Sequence, residues 1–234
     1  MMSSRAWRTR LSVAVYRRTM LPFRLAFQTL AAVRSLRPVR TFADGTSDSY
    51  LDAHTKFTLL RRPLYSYHRV FSLVSALHLQ ADPATLQVLS IGPRTEVELY
   101  YLWLFFGFRW KNLVGADLVS SSPKIKPADI SVRLPFEANF FDVIVASHVL
   151  EKSRDPQRTR DEILRVAKPD ARVLVGGDAV AEGLLLNRTA PIPVRCFRSG
   201  VYGFIEFYDL HMQDIDYINA RSPHGYECIF RVRK

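Results

Sequence analysis

A glycine closing one apolar run, an acid closing the next and a serine–histidine pair closing a third are the groups in this chain whose types and order can do chemistry. Gly92 ends LQVLSIG and Asp117 ends the strand within NLVGADLV. Asp129 sits in the brief ADISV, and Ser147 and His148 lie in FFDVIVASHVL. A glycine after a strand lets the backbone approach a ligand, and an acid one strand later can accept hydrogen bonds from a ribose diol. His148 can act as a general base toward an oxygen or nitrogen nucleophile, although a histidine at a cleft edge also serves simply to pack or hydrogen-bond. Asp117 and Asp129 have plain readings too, as a loop cap and an ordinary turn acid. The stretch VLSIGPRTEVEL departs from the usual ligand-holding turn, because Pro93, Arg94 and Glu96 stand where such turns carry glycine. A side chain at 94 or 96 prevents the closest backbone approach.

These groups need a scaffold that gathers the ends of separate strands. From Leu86 the chain alternates strand and helix. LQVLSIG reads as a strand, EVELYYLWLFFGF as a helix stopped by Gly107, and NLVGADLV as the next strand. A loop SSSPKIKP and the brief ADISV follow, then FFDVIVASHVL as a strand. DPQRTRDEILRVAKPD reads as a helix with Asp155 as N-cap and Pro156 at its first position, and ARVLVGG as another strand. Runs this apolar are buried on both faces, which means a parallel sheet covered by helices. YGFIEFYDL and GYECIFRVRK read as two more strands joined by a turn at Ser222-Pro223-His224-Gly225, and so short a connection makes them antiparallel. Ser47 to Leu79 reads as helical, broken near Pro63. The expected fold is α/β: a doubly wound, mostly parallel sheet with an antiparallel final strand and N-terminal helices. In such sheets ligands bind beyond the carboxyl ends of the strands, where Gly92, Asp117, Asp129 and Ser147-His148 fall. Tyr100, Tyr101, Trp103, Phe105 and Phe106 are read as core packing, and Lys124 and Lys126 as solvated. Arg158, Arg160, Asp161, Glu162 and Arg165 are read as an outer helix face whose local ion pairs are worth little each.

Residues 86 to 177 resemble the class I S-adenosylmethionine-dependent methyltransferases, of the kind called type 11. The likeness is carried by LPFEANFFDVIVASHVLEKSRDPQRTRDEILRVAKPDARVLVGG. It is similar to the region where that superfamily has a Leu-Pro-Phe turn, a Phe-Asp strand opening, a helix bearing Glu-Ile-x-Arg-Val and a Lys-Pro turn. The resemblance implies a Rossmann-like sheet, S-adenosylmethionine as cofactor and methyl transfer to a small-molecule or lipid-type acceptor. Carried over position by position, Gly92 would sit against the methionine part of the cofactor and Asp117 would bind the ribose hydroxyls. Asp129 would approach the adenine amino group, Leu118 and Val119 would pack near the ring, and Ser147 and His148 would line the pocket near the transferred methyl. Family members usually carry an acid in place of Ser90. Here Glu96 or Glu98 would replace it at the ammonium group, and Arg94 would make a charge-assisted hydrogen bond to the methionine carboxylate. Asp170 stands where the Lys-Pro-Gly-Gly turn has its first glycine, and aspartate tolerates left-handed geometry better than most residues. The alternative is a catalytically inactive relative that keeps the fold as a scaffold or assembly factor.

Charge and composition narrow the partners. The formal charge is +11, but residues 1 to 43 hold nine arginines and no Asp or Glu, leaving 24 basic against 22 acidic residues in the rest. A surface that tracks phosphates needs its excess on the folded body, so nucleic acid is not the expected partner. Peripheral contact of the basic N-terminus with an anionic membrane is expected instead. Residues 1–45 are thus read as a basic extension and 46–234 as the methyltransferase-like domain. The arginine-rich, acid-free extension and the stretch Arg40-Thr41-Phe42-Ala43 resemble a mitochondrial transit peptide and its cleavage site, with a basic tail on a cytoplasmic protein as the alternative. Two cysteines, Cys196 and Cys228, and six histidines without paired ligand spacing predict neither a disulfide framework nor a metal site. The longest strongly apolar run, Val97 to Phe108, falls short of the roughly 20 residues a membrane span needs.

Overall fold

The computed structural model describes residues 18–34, 40–41, 70, 74–75, 77, 79–93, 95–120, 122–150, 153–177, 184–186, 193–195, 215–219 and 226–234. In chain order the elements are α1 (Leu21–Arg34), β1 (Arg40–Thr41), β2 (Val88–Ile91), α2 (Val97–Phe106), β3 (Leu113–Asp117), β4 (Val119–Ser120), β5 (Ile125–Pro127) and β6 (Phe141–Ser147). They continue with α3 (Pro156–Val166), β7 (Ala167–Gly177), β8 (Leu184–Leu186), β9 (Pro193–Arg195), β10 (Ile215–Asn219) and β11 (Tyr226–Arg231). The predicted helices within Ser47 to Leu79 and the predicted strand YGFIEFYDL lie largely or wholly outside the described residues.

Every residue of β2 is buried, as an apolar run covered on both faces requires. The main sheet has seven strands in the order β10-β11-β7-β6-β2-β3-β5. β2 runs parallel to β3 and β6, β3 to β5, and β6 to β7, while β11 is antiparallel to both β7 and β10. This is the expected doubly wound sheet with an antiparallel final strand. The chain leaves β2 in one direction to build β3 and β5, then returns across it to build β6 and β7, so the strand order reverses between β2 and β6. Local signals behave as read. Gly107 ends α2 in the left-handed conformation, and the Asp155 side chain caps α3 by accepting from the Arg158 amide at 3.0 Å. Asp170 takes φ 62°, the left-handed geometry expected at its turn.

Three readings change. The segment SSSPKIKP, expected as a loop, contains β5. Its Ile125 packs against Gly115 of β3, where a Cβ would lie 3.0 Å from Ile125 Cγ1. ADISV, beside it, is a turn in which the Asp129 carbonyl accepts from the Val132 and Arg133 amides, both at 3.0 Å. Lys124 is half-buried rather than solvated. Its Nζ donates to the carbonyls of Trp110 at 2.6 Å and Leu113 at 2.8 Å, and burial lowers its pKa.

The third change concerns α3. Arg165 reaches the Leu-Pro-Phe turn, donating to the Leu134 and Phe136 carbonyls at 2.9 Å each and to Glu162 at 2.7 Å. Glu162 in turn accepts from the Leu134 amide at 2.8 Å. Burial pushes the Glu162 carboxyl up, but Arg165 and the Leu134 amide outweigh it and hold it below its ordinary range. The pair is a clamp on the turn before β6, not a solvated ion pair. A second tie joins neighbouring strands: Lys168 donates to both Asp142 oxygens at 2.9 Å, and Asp142 also accepts from the Gln87 amide at 2.8 Å.

α2 is apolar all round because it is covered on two sides. Leu99 and Leu102 pack toward the sheet with Val88, Leu113 and Val145. Val97, Tyr100 and Tyr101 pack with Phe27 and Ala31 of α1. The Phe27 ring lies 5.4 Å from both tyrosine rings, and burying a side chain of that size contributes roughly 2 kcal/mol. Both α1 and β1 fall within the stretch read as the basic extension. β1 pairs antiparallel with β4, Arg40 opposite Ser120 and Thr41 opposite Val119. Cleavage at Arg40-Thr41-Phe42-Ala43 would remove α1 from this packing.

Candidate functional site

The turn after β2 is built around a glycine that nothing else can replace without strain. Gly92 has φ 71°, its amide donates to the Ala116 carbonyl at 2.8 Å, and a Cβ there would lie 2.8 Å from Val149 Cγ2. Pro93 then folds back over β3. A Cβ on Gly115 would lie 2.8 Å from Pro93 Cγ, so the absence of a side chain at 115 lets the proline seat there. Arg94 lies outside the described residues.

Beneath this turn is a small group of buried charges. Ser90, fully buried in β2, donates its hydroxyl to Glu98 Oε1 at 2.5 Å. Glu98 comes from the first turn of α2, so a carboxylate reaches the place where the resemblance would put an acid on the strand itself. Burial raises the Glu98 carboxyl to about 7, with the nearby Asp117 charge adding to the rise and the Ser90 hydrogen bond and His148 opposing it. Glu98 therefore changes charge near neutral pH. Asp117 is buried at the end of β3, and its carbonyl accepts from the Ala128 amide at 2.8 Å. Leu118, half-buried, follows it, and Val119 is held by β1.

Ser147 ends β6, half-buried, and His148 follows at φ 57° with its amide donating to the Gly176 carbonyl at 2.6 Å. A histidine in the left-handed region is uncommon and costs energy, so the surrounding chain must hold it there. Asp129 is buried close to the same sheet edge. Its Oδ1 accepts from the Ser131 amide at 2.8 Å, and Arg154 stands 3.6 Å from Oδ2. The Ser131 hydroxyl accepts from the Arg154 amide at 3.0 Å, which ties this turn to the segment following β6.

Glu96 has a different role from the cofactor contact expected of it. Its Oε2 accepts from Arg34 Nε at 2.5 Å and from the Tyr100 hydroxyl at 2.6 Å, and its Oε1 accepts from the Ser122 hydroxyl. The Arg34 guanidinium also lies 5.7 Å from the centre of the Trp110 ring, and its bond to Glu96 raises its pKa. The reason is helical phase. Residues 96 and 100, one turn apart, share the face that α1 covers, whereas residue 98 is rotated by about 200° from residue 96 toward the sheet. Arg34 and Ser122 carry no local sign of this arrangement, since they lie 62 and 26 residues from Glu96. Gly92, Glu98, Asp117 and Ser147-His148 are brought to the carboxyl ends of neighbouring strands. Among the described residues no group of three His, Cys, Asp or Glu is placed to hold a metal ion.

Residues 109–175 match a family model described as a methyltransferase domain. A comparison with curated proteins gives no match. Among solved structures, the chain is similar to one from the complex between the Haloferax volcanii Trm112 methyltransferase activator and its candidate methyltransferase. That similarity has TM-score 0.57 and 12% identity, covering 81% of this chain and 98% of that one. A candidate S-adenosylmethionine-dependent methyltransferase from Listeria monocytogenes aligns with TM-score 0.50 and 12% identity over 70% of this chain and 97% of its own. The [4+2]-cyclase SpnF aligns with TM-score 0.50 and 15% identity over 70% of this chain and 80% of its own. These similarities show a shared fold.

Proposed function

We propose that this chain, whose residues 109–175 match a methyltransferase-domain model and whose fold is shared with solved methyltransferase structures, binds S-adenosylmethionine and methylates a small-molecule or lipid-type acceptor. The observation that carries this reading is the meeting of Glu98, Asp117 and His148, from three separate elements, beside Gly92 at the strand-order reversal. Two buried carboxylates raise each other's energy, and a ligand offering an ammonium group and hydroxyls relieves both. S-adenosylmethionine has those groups and supplies a methyl on a positively charged sulfur. In this reading Asp117 accepts from the ribose hydroxyls, and Glu98, steadied by Ser90, holds the ammonium in place of the missing strand acid. Asp129 and Leu118 stand on the adenine side, and Arg94 keeps its sequence-based assignment to the methionine carboxylate. Ser147 and His148 border the reacting methyl, and His148 takes the proton of an oxygen or nitrogen acceptor. The remaining contribution is alignment in a water-poor cleft.

One observation favours the second reading, an inactive scaffold. The glycine at 92 is required by its positive φ and by Val149 alone, so a fold with no cofactor would keep it too. Titration calorimetry of the folded full chain with S-adenosylmethionine separates the two. Saturable binding with Kd of about 1–100 μM supports the enzyme; no heat at roughly millimolar cofactor leaves the scaffold.

A further inference from the structure

α1 presents apolar side chains on its outer face as well as its inner one. Phe27 and Ala31 face inward against α2 at 8% and 3% exposure, while Leu21, Leu25, Leu30 and Val33 are exposed at 38%, 48%, 45% and 60%. Trp103 and Leu104 of α2, the helix on which α1 lies, are exposed at 46% and 45%. Among the described residues, seven of the eight exposed large hydrophobic side chains belong to this helix pair. Apolar residues scattered singly over a surface need no explanation, but a concentration on one helix pair marks an interaction surface.

Charge selects the partner. Residues 1 to 43 carry nine arginines and no acid, and Arg18, just before α1, is exposed. A nucleic acid would meet the arginines and leave the leucines in water. A second copy would bring two acid-free arginine arms together, at a repulsive cost. A helix with apolar side chains outward and the exposed Arg18 at its start, within an acid-free basic stretch, suits the boundary between lipid headgroups and acyl chains. We infer that the outer face of α1 docks the protein on an anionic phospholipid surface, with Leu25, Leu30 and Val33 in the acyl boundary and Arg18 among the headgroups. The β1–β4 pairing links the segment after α1 to Val119, so the docked helix is tied to the edge of the candidate site. The inference does not depend on methyl transfer.

Vesicle flotation of the full chain tests it, with pure phosphatidylcholine vesicles against phosphatidylcholine vesicles containing about one third phosphatidylglycerol. The wild type is expected to float with the anionic vesicles only, and less as salt rises. The double variant Leu25→Glu/Leu30→Glu is expected to lose at least about tenfold in partitioning while keeping the wild-type melting curve, because both positions face solvent. Equal flotation with both vesicle types, no flotation of the wild type, or undiminished flotation of the double variant would overturn the inference. So would a wild-type dimer that the double variant converts to monomer, since the face would then belong to a second copy.

Discussion

The β6–α3–β7 half of the sheet and the carboxyl-end side of the β2–α2–β3 half use their carboxylates differently. In the first, Glu162 and Asp142 are each matched by a cation and a backbone amide. Glu162 and Arg165 hold the Leu134–Phe136 turn, and Asp142 bonds Lys168 and the Gln87 amide. These residues are the very ones that make LPFEANFFDVIV and EILRVAKP resemble a methyltransferase. They sit on α3 or near the start of β6 and β7, away from the carboxyl ends. In the second half, Glu96 is matched by Arg34, but Glu98 is buried at the carboxyl ends, and burial first and the nearby Asp117 charge after it raise its pKa. The contrast teaches that the strongest part of the likeness reports how the fold is held, while the question of a ligand rests on the half where the likeness is weakest.

The largest effect expected from breaking this contrast is on the clamp. Arg165→Ala removes two bonds to turn carbonyls and leaves Glu162 mostly buried without its cation, so urea denaturation should show a loss of about 2–4 kcal/mol. The protein that stays folded should bind S-adenosylmethionine as the wild type does. Asp117→Ala should act on the ligand instead, weakening S-adenosylmethionine by about 10–100-fold in calorimetry. An unchanged affinity would remove the ribose assignment.

A finer test uses the sign of the pH response. Glu98 has a raised pKa, so it costs the fold stability as pH climbs from the ordinary carboxylate range through about 7, and the cost is complete above that. Glu162 has a lowered one, so its stabilisation is present above the ordinary carboxylate range and is lost as pH falls below it. S-adenosylmethionine affinity should therefore rise between about pH 6 and 8 as Glu98 ionises. Glu98→Gln should flatten that rise, weaken binding about tenfold at pH 8 and make the fold more stable there to urea. A slope that survives in the variant would assign the titration to another group, with Asp117 and His148 the neighbours to examine. The smallest effect belongs to the exposed end of the second tie: Lys168→Met should cost only about 0.5–1 kcal/mol, without a change in cofactor affinity.

Much of the scaffold was legible because its signals are local. Gly107 could stop a helix and Asp155 could cap one wherever they stood, and the short apolar runs between turn signals fit strands of a covered sheet. β5 was hidden because a three-residue strand of Ile, Lys and Pro has no periodicity, and only its pairing with β3 makes it one. The strand that pairs with β11 is Ile215–Asn219, whereas the run YGFIEFYDL lies outside the described residues. Arg165 looked like a surface charge because its partners, 29 and 31 residues away, lie in a turn that only the fold brings under α3.

Residue order alone determined the sheet type, the strand ends and the set of polar groups that gather there, since burial patterns and backbone preferences act within a few residues. Which of the two acids in TEVEL faces the candidate site was decided only by tertiary structure. Helical phase sets residues 96 and 98 on different faces, but whether a face meets Arg34 or meets Ser90 and Asp117 depends on what packs against it. A buried carboxylate takes its charge state and its use from those neighbours, and they arrive from distant parts of the chain.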